Sequence, residues 1–181
     1  MERIKLKLTS LQNEIFRLMC IKSGEKLNLS EIAKNLDVSV TAVSKSILKL
    51  EDAKLISVER NKKMNLILIC LDRSSKKAIQ FKRAENLKMI YEYGLHDYLE
   101  EEYLGAIIIL FGSFSKGDDT INSDIDIAII GRRRKEINLK NFEERFQRKI
   151  IINYYQSFKE IHKHLKENIF NGIILTGGIE L

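Results

Sequence analysis

Long apolar runs are missing from this chain of 181 residues. A membrane-spanning helix needs roughly 20 consecutive apolar residues, and nothing in the sequence approaches that, so no membrane span is expected. The opening residues, MERIKLKL, alternate charge with aliphatic side chains and contain no secretory apolar segment, so the expectation is a cytoplasmic protein. Cysteine is scarce: Cys20 and Cys70 stand far apart in apolar contexts, without a second ligand at metal-binding spacing, and read as buried thiols. Of the three histidines, His162 and His164 are two apart on a helical stretch and face different sides, so no zinc site is expected. Proline is absent altogether, and nothing of that kind interrupts the lysine-rich residues 74–93.

Charge is present in quantity but lies unevenly. Residues 1–93 hold 19 Lys and Arg against 11 Asp and Glu, while residues 94–181 hold 12 against 14. A basic first half suits a polyanionic partner, although solubility alone would also account for it. The length accommodates two small modules. The pattern divides it into residues 1–72, a connecting stretch 73–93, and residues 94–181.

From the N-terminus, Ile4, Leu6 and Leu8 alternate with charged residues and predict a short strand. Ser10 is placed to cap a helix with Leu11, Ile15, Leu18 and Met19 on one face, ending near Ser23-Gly24. Ser30 is placed to cap a second helix with Ile32, Ala33 and Leu36 inward, and Ser39 a third. In that third helix Val43, Ile47 and Leu50 fall at i, i+4 and i+7, leaving Thr41, Ser44, Lys45 and Lys49 outside. Small polar residues followed by lysines suit a helix entering a DNA major groove. Strands over 55–59 and 65–71 follow, joined by the basic tip Arg60-Asn61-Lys62-Lys63.

This order resembles the winged helix-turn-helix of many prokaryotic transcription regulators, over the phrase LSEIAKNLDVSVTAVSKSILKLEDAKLISVE. Ala53-Lys54 stands where many members have a glycine. The resemblance implies binding to double-stranded DNA, with Arg60, Lys62 and Lys63 meeting phosphates. A trihelical interaction or dimerisation module would show the same pattern. Residues 74–93 read as a connecting helix whose apolar positions, Ala78, Ile79, Leu87, Ile90 and Tyr91, could also form the seam of a homodimer. Gly94 breaks it, and Leu95, Tyr98, Leu99 and Glu102 continue as a shorter amphipathic helix.

The stretch GAIIILFGSFSKGDDTINSDIDIAIIG, residues 105–131, carries the strongest chemical signal. Two short β-branched runs, 106–111 and 125–130, read as buried strands bounded by glycines. The first ends in Gly112-Ser113, where a missing Cβ lets backbone N–H groups approach an anion and the hydroxyl adds a hydrogen bond. Asp124 and Asp126 follow, two apart and so on one face of a strand, within reach of one divalent cation or a close pair. The plainer account makes the glycine and serine a cap for a helix starting near Phe114 and the aspartates solvated strand ends. Two acids on one face of an apolar strand repel, which is a poor choice for stability alone.

Gly112, Ser113, Asp124 and Asp126, with Phe111, Gly117 and Ser123 around them, resemble the nucleotidyltransferase superfamily related to DNA polymerase β, and within it the minimal nucleotidyltransferases of archaea and bacteria. The resemblance implies an α+β fold: an N-terminal winged helix-turn-helix, a connecting helix and a C-terminal small mixed β-sheet domain. It also implies a nucleoside triphosphate (NTP) as substrate or ligand, held by Gly112 and Ser113, with Mg2+ on Asp124 and Asp126 and both aspartates catalytic. Members are often partners of helical HEPN-type toxins, so a protein acceptor is one implied partner.

Active members place a third carboxylate on a later strand, after a helix expected over 139–147. Here that strand, 148–153, reads Arg-Lys-Ile-Ile-Ile-Asn. Asn153 can offer a metal its carbonyl oxygen but cannot act as a base, and nothing in the sequence positions Glu144 or Glu180 as a substitute. Ser157 is then expected to cap a last long helix to about Ile169. Arg132, Arg133, Arg134 and Lys135 receive no assigned role. Three functions stand: transfer of a nucleotide to a protein or nucleic-acid hydroxyl; DNA-binding regulation in which the second module is an impaired nucleotide sensor or dimer scaffold; and, ranked last because it leaves the aspartates unexplained, assembly alone.

Overall fold

The computed structural model describes residues 6–61 and 66–178. Two compact units divide the chain, Met1–Lys82 and Arg83–Leu181. The fold class is as the sequence predicts, a helical unit with a small antiparallel sheet followed by a mixed-sheet α+β unit. No helix among the described residues is long and apolar enough to cross a membrane.

In the first unit residues 6–8 form no strand. Leu6 and Leu8 lie half-buried against the helical core, and Lys49 Nζ donates to the Lys7 carbonyl; Ile4 lies outside the described residues. Helix α1 (Ser10–Ile21) is capped by Thr9 and not by Ser10. The Thr9 hydroxyl accepts from the Gln12 N–H while the Gln12 side chain accepts from the Thr9 N–H. Helix α2 (Leu29–Leu36) repeats the arrangement with Asn28 and Glu31, so Ser30 falls inside the helix. In both places a reciprocal box satisfies two first-turn donors where a lone serine would satisfy one.

Ser39 caps helix α3 (Val40–Asp52) as expected, its hydroxyl accepting from the Ala42 N–H. Val43, Ile47 and Leu50 of α3 bury against Ile15 and Met19 of α1 and Ile32 of α2. Burial of each such side chain stabilises by about 1.5–3 kcal/mol. Strands β1 (Leu27–Asn28), β2 (Ile56–Asn61) and β3 (Leu66–Leu71) form an antiparallel sheet in the order β1-β3-β2. The turn from α3 into β2 sets Lys54 at φ 57°. That left-handed conformation is strained for a residue with a Cβ, which explains why glycine suits this place. Helix α4 (Lys76–Glu92) follows, and the division between the units falls within it.

The second unit runs α5 (Leu95–Glu102), β4 (Ile107–Phe111), α6 (Gly112–Lys116), β5 (Ile125–Ile130), α7 (Lys140–Phe146), β6 (Ile150–Tyr155), a 3-10 turn (Phe158–Glu160), α8 (Lys163–Phe170) and β7 (Ile173–Thr176). The last long helix expected from Ser157 is thus a 3-10 turn and a shorter helix, and Ser157 makes no side-chain cap bond. The sheet order is β6-β5-β4-β7, with β5 and β6 parallel and the other pairs antiparallel. Strand alternation puts Ile109, Phe111, Ala128 and Ile130 on one face, where Ile161 and Ile169 cover them. Asp126 shares that face, at the end nearest Gly112.

Candidate functional site

Gly112 follows the last residue of β4 and turns the chain at φ 74° into α6. A Cβ at this position would lie 2.4 Å from Asp126 Oδ2 and 3.2 Å from Asp126 Cγ. Phe111 pairs with Asp126 across β4 and β5, so the carboxylate comes to rest in the space that a side chain would fill. Glycine is therefore required twice over, by its backbone angle and by its neighbour. The Ser113 side chain is half-buried beside it.

The loop between Gly112 and Asp126 is held at three points. Gly117 ends α6 at φ 81°, with the Asp118 N–H donating to the Ser113 carbonyl at 3.1 Å. Asp119 is fully buried: Arg148 Nη2 donates to its Oδ2 at 2.7 Å, and Asn86 Nδ2 to its Oδ1 at 2.7 Å. Asn86 Nδ2 also reaches the Phe114 carbonyl at 2.9 Å, which ties the same network to α6. The Ser123 hydroxyl then accepts from the Thr120 N–H at 2.9 Å and closes the turn from which Asp124 projects. Gly117 and Ser123, matched in the sequence, thus shape the loop. The buried Asp119–Arg148–Asn86 network went unread, since nothing in Gly-Asp-Asp marks which acid turns inward.

Asp124 is exposed at the threshold of β5 and Asp126 is half-buried on it. Burial first, and the Asp124 charge second, push the Asp126 carboxyl above its usual range. The Asp124 charge therefore reaches the Asp126 carboxyl. No group of three His, Cys, Asp or Glu side chains able to hold a metal ion occurs among the described residues. On β6 the residue in register with Asp126 is Ile151, whereas Asn153 pairs with Ala128, two residues further along. Asn153, offered above as a substitute ligand, is thus displaced from Asp126 by roughly 7 Å along the strand direction. Glu144 is exposed on α7, its neighbour Glu143 accepts from the Ile150 N–H at 3.0 Å, and Glu180 lies outside the described residues.

Of the cations after β5, Arg132 donates to the carbonyls of Leu104 and Gly131. Lys135 pairs with Glu102 at 2.5 Å and lies over the Tyr103 ring. A groove of about 510 Å³ runs past Arg134, Lys135, Ile151 and Tyr154.

In the first unit Thr41, Lys45 and Lys49 are exposed on α3 as the helical spacing predicts, whereas Ser44, expected outside, is half-buried. Lys49 is tied back to the Lys7 carbonyl. Arg60 stands within β2 and not at a hairpin tip, its guanidinium forked onto Glu51 at 2.8 and 2.5 Å. Lys62 and Lys63 lie outside the described residues. The face thus brings Thr41, Ser44 and Lys45 together and commits Arg60 to the protein.

Residues 93–175 match the nucleotidyltransferase domain family, and residues 12–63 match the MarR family. The chain joins a MarR-like winged helix to a nucleotidyltransferase-like domain. Comparison with curated proteins gives no match. Among solved structures, the chain is similar to the C30S mutant of Lactococcus lactis ZitR in complex with DNA, with 23% identity over 58% of this chain and 68% of that one, at a TM-score of 0.42. It is also similar to Lactococcus lactis ZitR described as a zinc-responsive MarR family member, with 26% identity, 57% and 68% coverage and a TM-score of 0.39. The adhesin competence repressor of Streptococcus pyogenes gives 18% identity, 57% and 72% coverage and a TM-score of 0.43. The nucleotidyltransferase-like match spans the Gly112 corner and both aspartates; the MarR-like match spans α2, α3 and β2.

Proposed function

We propose that the chain is a DNA-binding regulator whose nucleotidyltransferase-like domain binds an NTP with a divalent cation, Mg2+ in the first instance, at Gly112, Ser113, Asp124 and Asp126. The observation that carries this reading is the seat of the Asp126 carboxylate against the bare α-carbon of Gly112. It brings an oxygen ligand for a cation next to backbone that a phosphate can approach closely. The donor set fits Mg2+, because the burial and the Asp124 charge that oppose ionisation of Asp126 would be offset by a bound dication. When bound, the cation supplies charge neutralisation for the triphosphate. Gly112 and Ser113 would hold phosphate oxygens, and Asp124 and Asp126 would hold the cation.

No acid stands in register beside Asp126 to take a proton from an attacking hydroxyl. A missing general base removes a factor of about 10² to 10⁴ from such a step, so the nucleotide is a lasting ligand before it is a substrate. On this reading α3 enters duplex DNA with Thr41, Ser44 and Lys45, and a homodimer places two such helices on two half-sites. The match to nucleotidyltransferase domains favours the second reading, nucleotide transfer to a protein or nucleic-acid hydroxyl.

Calorimetry of Mg2+ with ATP, CTP, GTP and UTP, on wild type and Asp126→Ala, tests the shared core of both. Metal-dependent binding lost in the variant is the expected result; binding that is absent, or indifferent to the substitution, overturns it. Radiolabel from the bound nucleotide on a co-purifying protein or nucleic acid, abolished by Asp124→Ala, would establish transfer.

A further inference from the structure

Strands β5 and β6 run parallel, and residues in register across them put their side chains on the same face about 4.8 Å apart. The neighbour of Asp126 in this sense is Ile151. Its side chain carries no atom able to bind a metal, and it is 43% exposed on an edge strand of which only Ile150 is buried. On the other flank of Asp126 lies Phe111, also without a ligand atom. The remaining carboxylate near it is Asp124, and no third acid joins them among the described residues.

A pair of cations about 3.5–4 Å apart needs ligands on more than one side, with near-octahedral oxygen coordination at each ion. Two carboxylates and a triphosphate satisfy one such ion. A second would have to sit towards β6, where Ile151 offers hydrocarbon. Asn153, roughly 7 Å further along the strand direction, does not flank the same point.

We infer that this site takes one divalent cation with its nucleotide, and that Ile151, in register with Asp126 on β6, is the residue that excludes a second. The inference rests on the nucleotide-binding reading above and fixes its stoichiometry. An exposed strand position is also one where an acid can be installed without opening the core, so the exclusion is reversible by a single change.

The experiment uses the full chain, with Mn2+ as the metal and ATP, CTP, GTP and UTP in turn as the nucleotide. Equilibrium dialysis at saturating nucleotide counts bound Mn2+ per chain, and electron paramagnetic resonance distinguishes an isolated ion from an exchange-coupled pair. Wild type is expected to hold one ion with an uncoupled spectrum. Ile151→Asp is expected to hold two, with the coupled spectrum, while Ile151→Asn stays at one. Ile151→Glu serves in place of the aspartate variant should circular dichroism show that variant unfolded. Two coupled ions in wild type, or one ion in the folded acidic variant, overturn the inference and leave nucleotide binding intact. Absence of nucleotide-dependent Mn2+ uptake by wild type overturns both.

Discussion

Gly112→Ala separates the two demands made on one residue. The backbone demand has a general cost: a residue with a Cβ in the left-handed region loses about 1–2 kcal/mol relative to glycine. The steric demand is local. The new methyl would lie 2.4 Å from Asp126 Oδ2, so the carboxylate must retreat by about 1 Å to regain ordinary contact, and it is the free end of a side chain that can do so cheaply. The retreat matters to a ligand more than to the fold, since Mg2+ holds oxygens near 2.0–2.1 Å with little tolerance. Gly131→Ala is the control: its φ of 86° imposes the same strain, but nothing lies within 4 Å of its added Cβ. Both variants should therefore lose about 1–2 kcal/mol of stability by urea denaturation. Only Gly112→Ala should also weaken Mg–NTP binding by calorimetry, by at least about tenfold, or 1.4 kcal/mol. Equal nucleotide binding in the two variants would refute the reasoning, as would an unfolded Gly112→Ala beside a stable Gly131→Ala.

Arg148→Met should cost about 3–5 kcal/mol, because it leaves the Asp119 carboxylate buried without its ionic partner; replacing Asp119 and Arg148 together by apolar residues should cost less, measured by the same denaturation. Lys54→Gly should stabilise the first unit by about 0.5–1 kcal/mol, strain relief outweighing the extra chain entropy of glycine, and an unchanged or lower midpoint counts against it. Burial first and the Glu59 charge second raise the Cys70 thiol, so its alkylation rate should rise with pH at a higher midpoint than that of an unfolded-chain cysteine. The linked stability is present below the unfolded thiol's pKa and falls as pH climbs above it, since the unfolded thiol ionises first; a midpoint at or below the unfolded value sinks the argument. In duplex binding by fluorescence anisotropy, Lys45→Ala should lower the salt slope by about one, and Arg60→Ala should do less because Glu51 already holds that guanidinium; the reverse ranking would move the contact surface to β2.

The α3 stripe was legible because Val43, Ile47 and Leu50 admit one helical face, and β4 and β5 were legible because glycines bound two β-branched runs. What sequence spacing could not do was choose between adjacent capping residues. Thr9 and Ser10, or Asn28 and Ser30, are alike by residue type, and the choice was made three residues on, by Gln12 and Glu31. Nor could it set the register of β6 on β5, a tertiary matter that decides whether Ile151 or Asn153 stands beside Asp126. The basic cluster of Arg60 was read for its charge, while its partner Glu51 sits nine residues earlier on another element.

The order of strands in the second sheet bears on biosynthesis. On the ribosome, β4 emerges before both of its lateral neighbours, β5 and β7, and the acid at 119 emerges well before the arginine that neutralises it. A nascent polypeptide that has only just extruded its aspartates therefore has an unpaired edge and a charge with nowhere to go. The Gly112 corner is complete only late, when residues 148 to 176 have left the exit tunnel and closed the sheet on both sides.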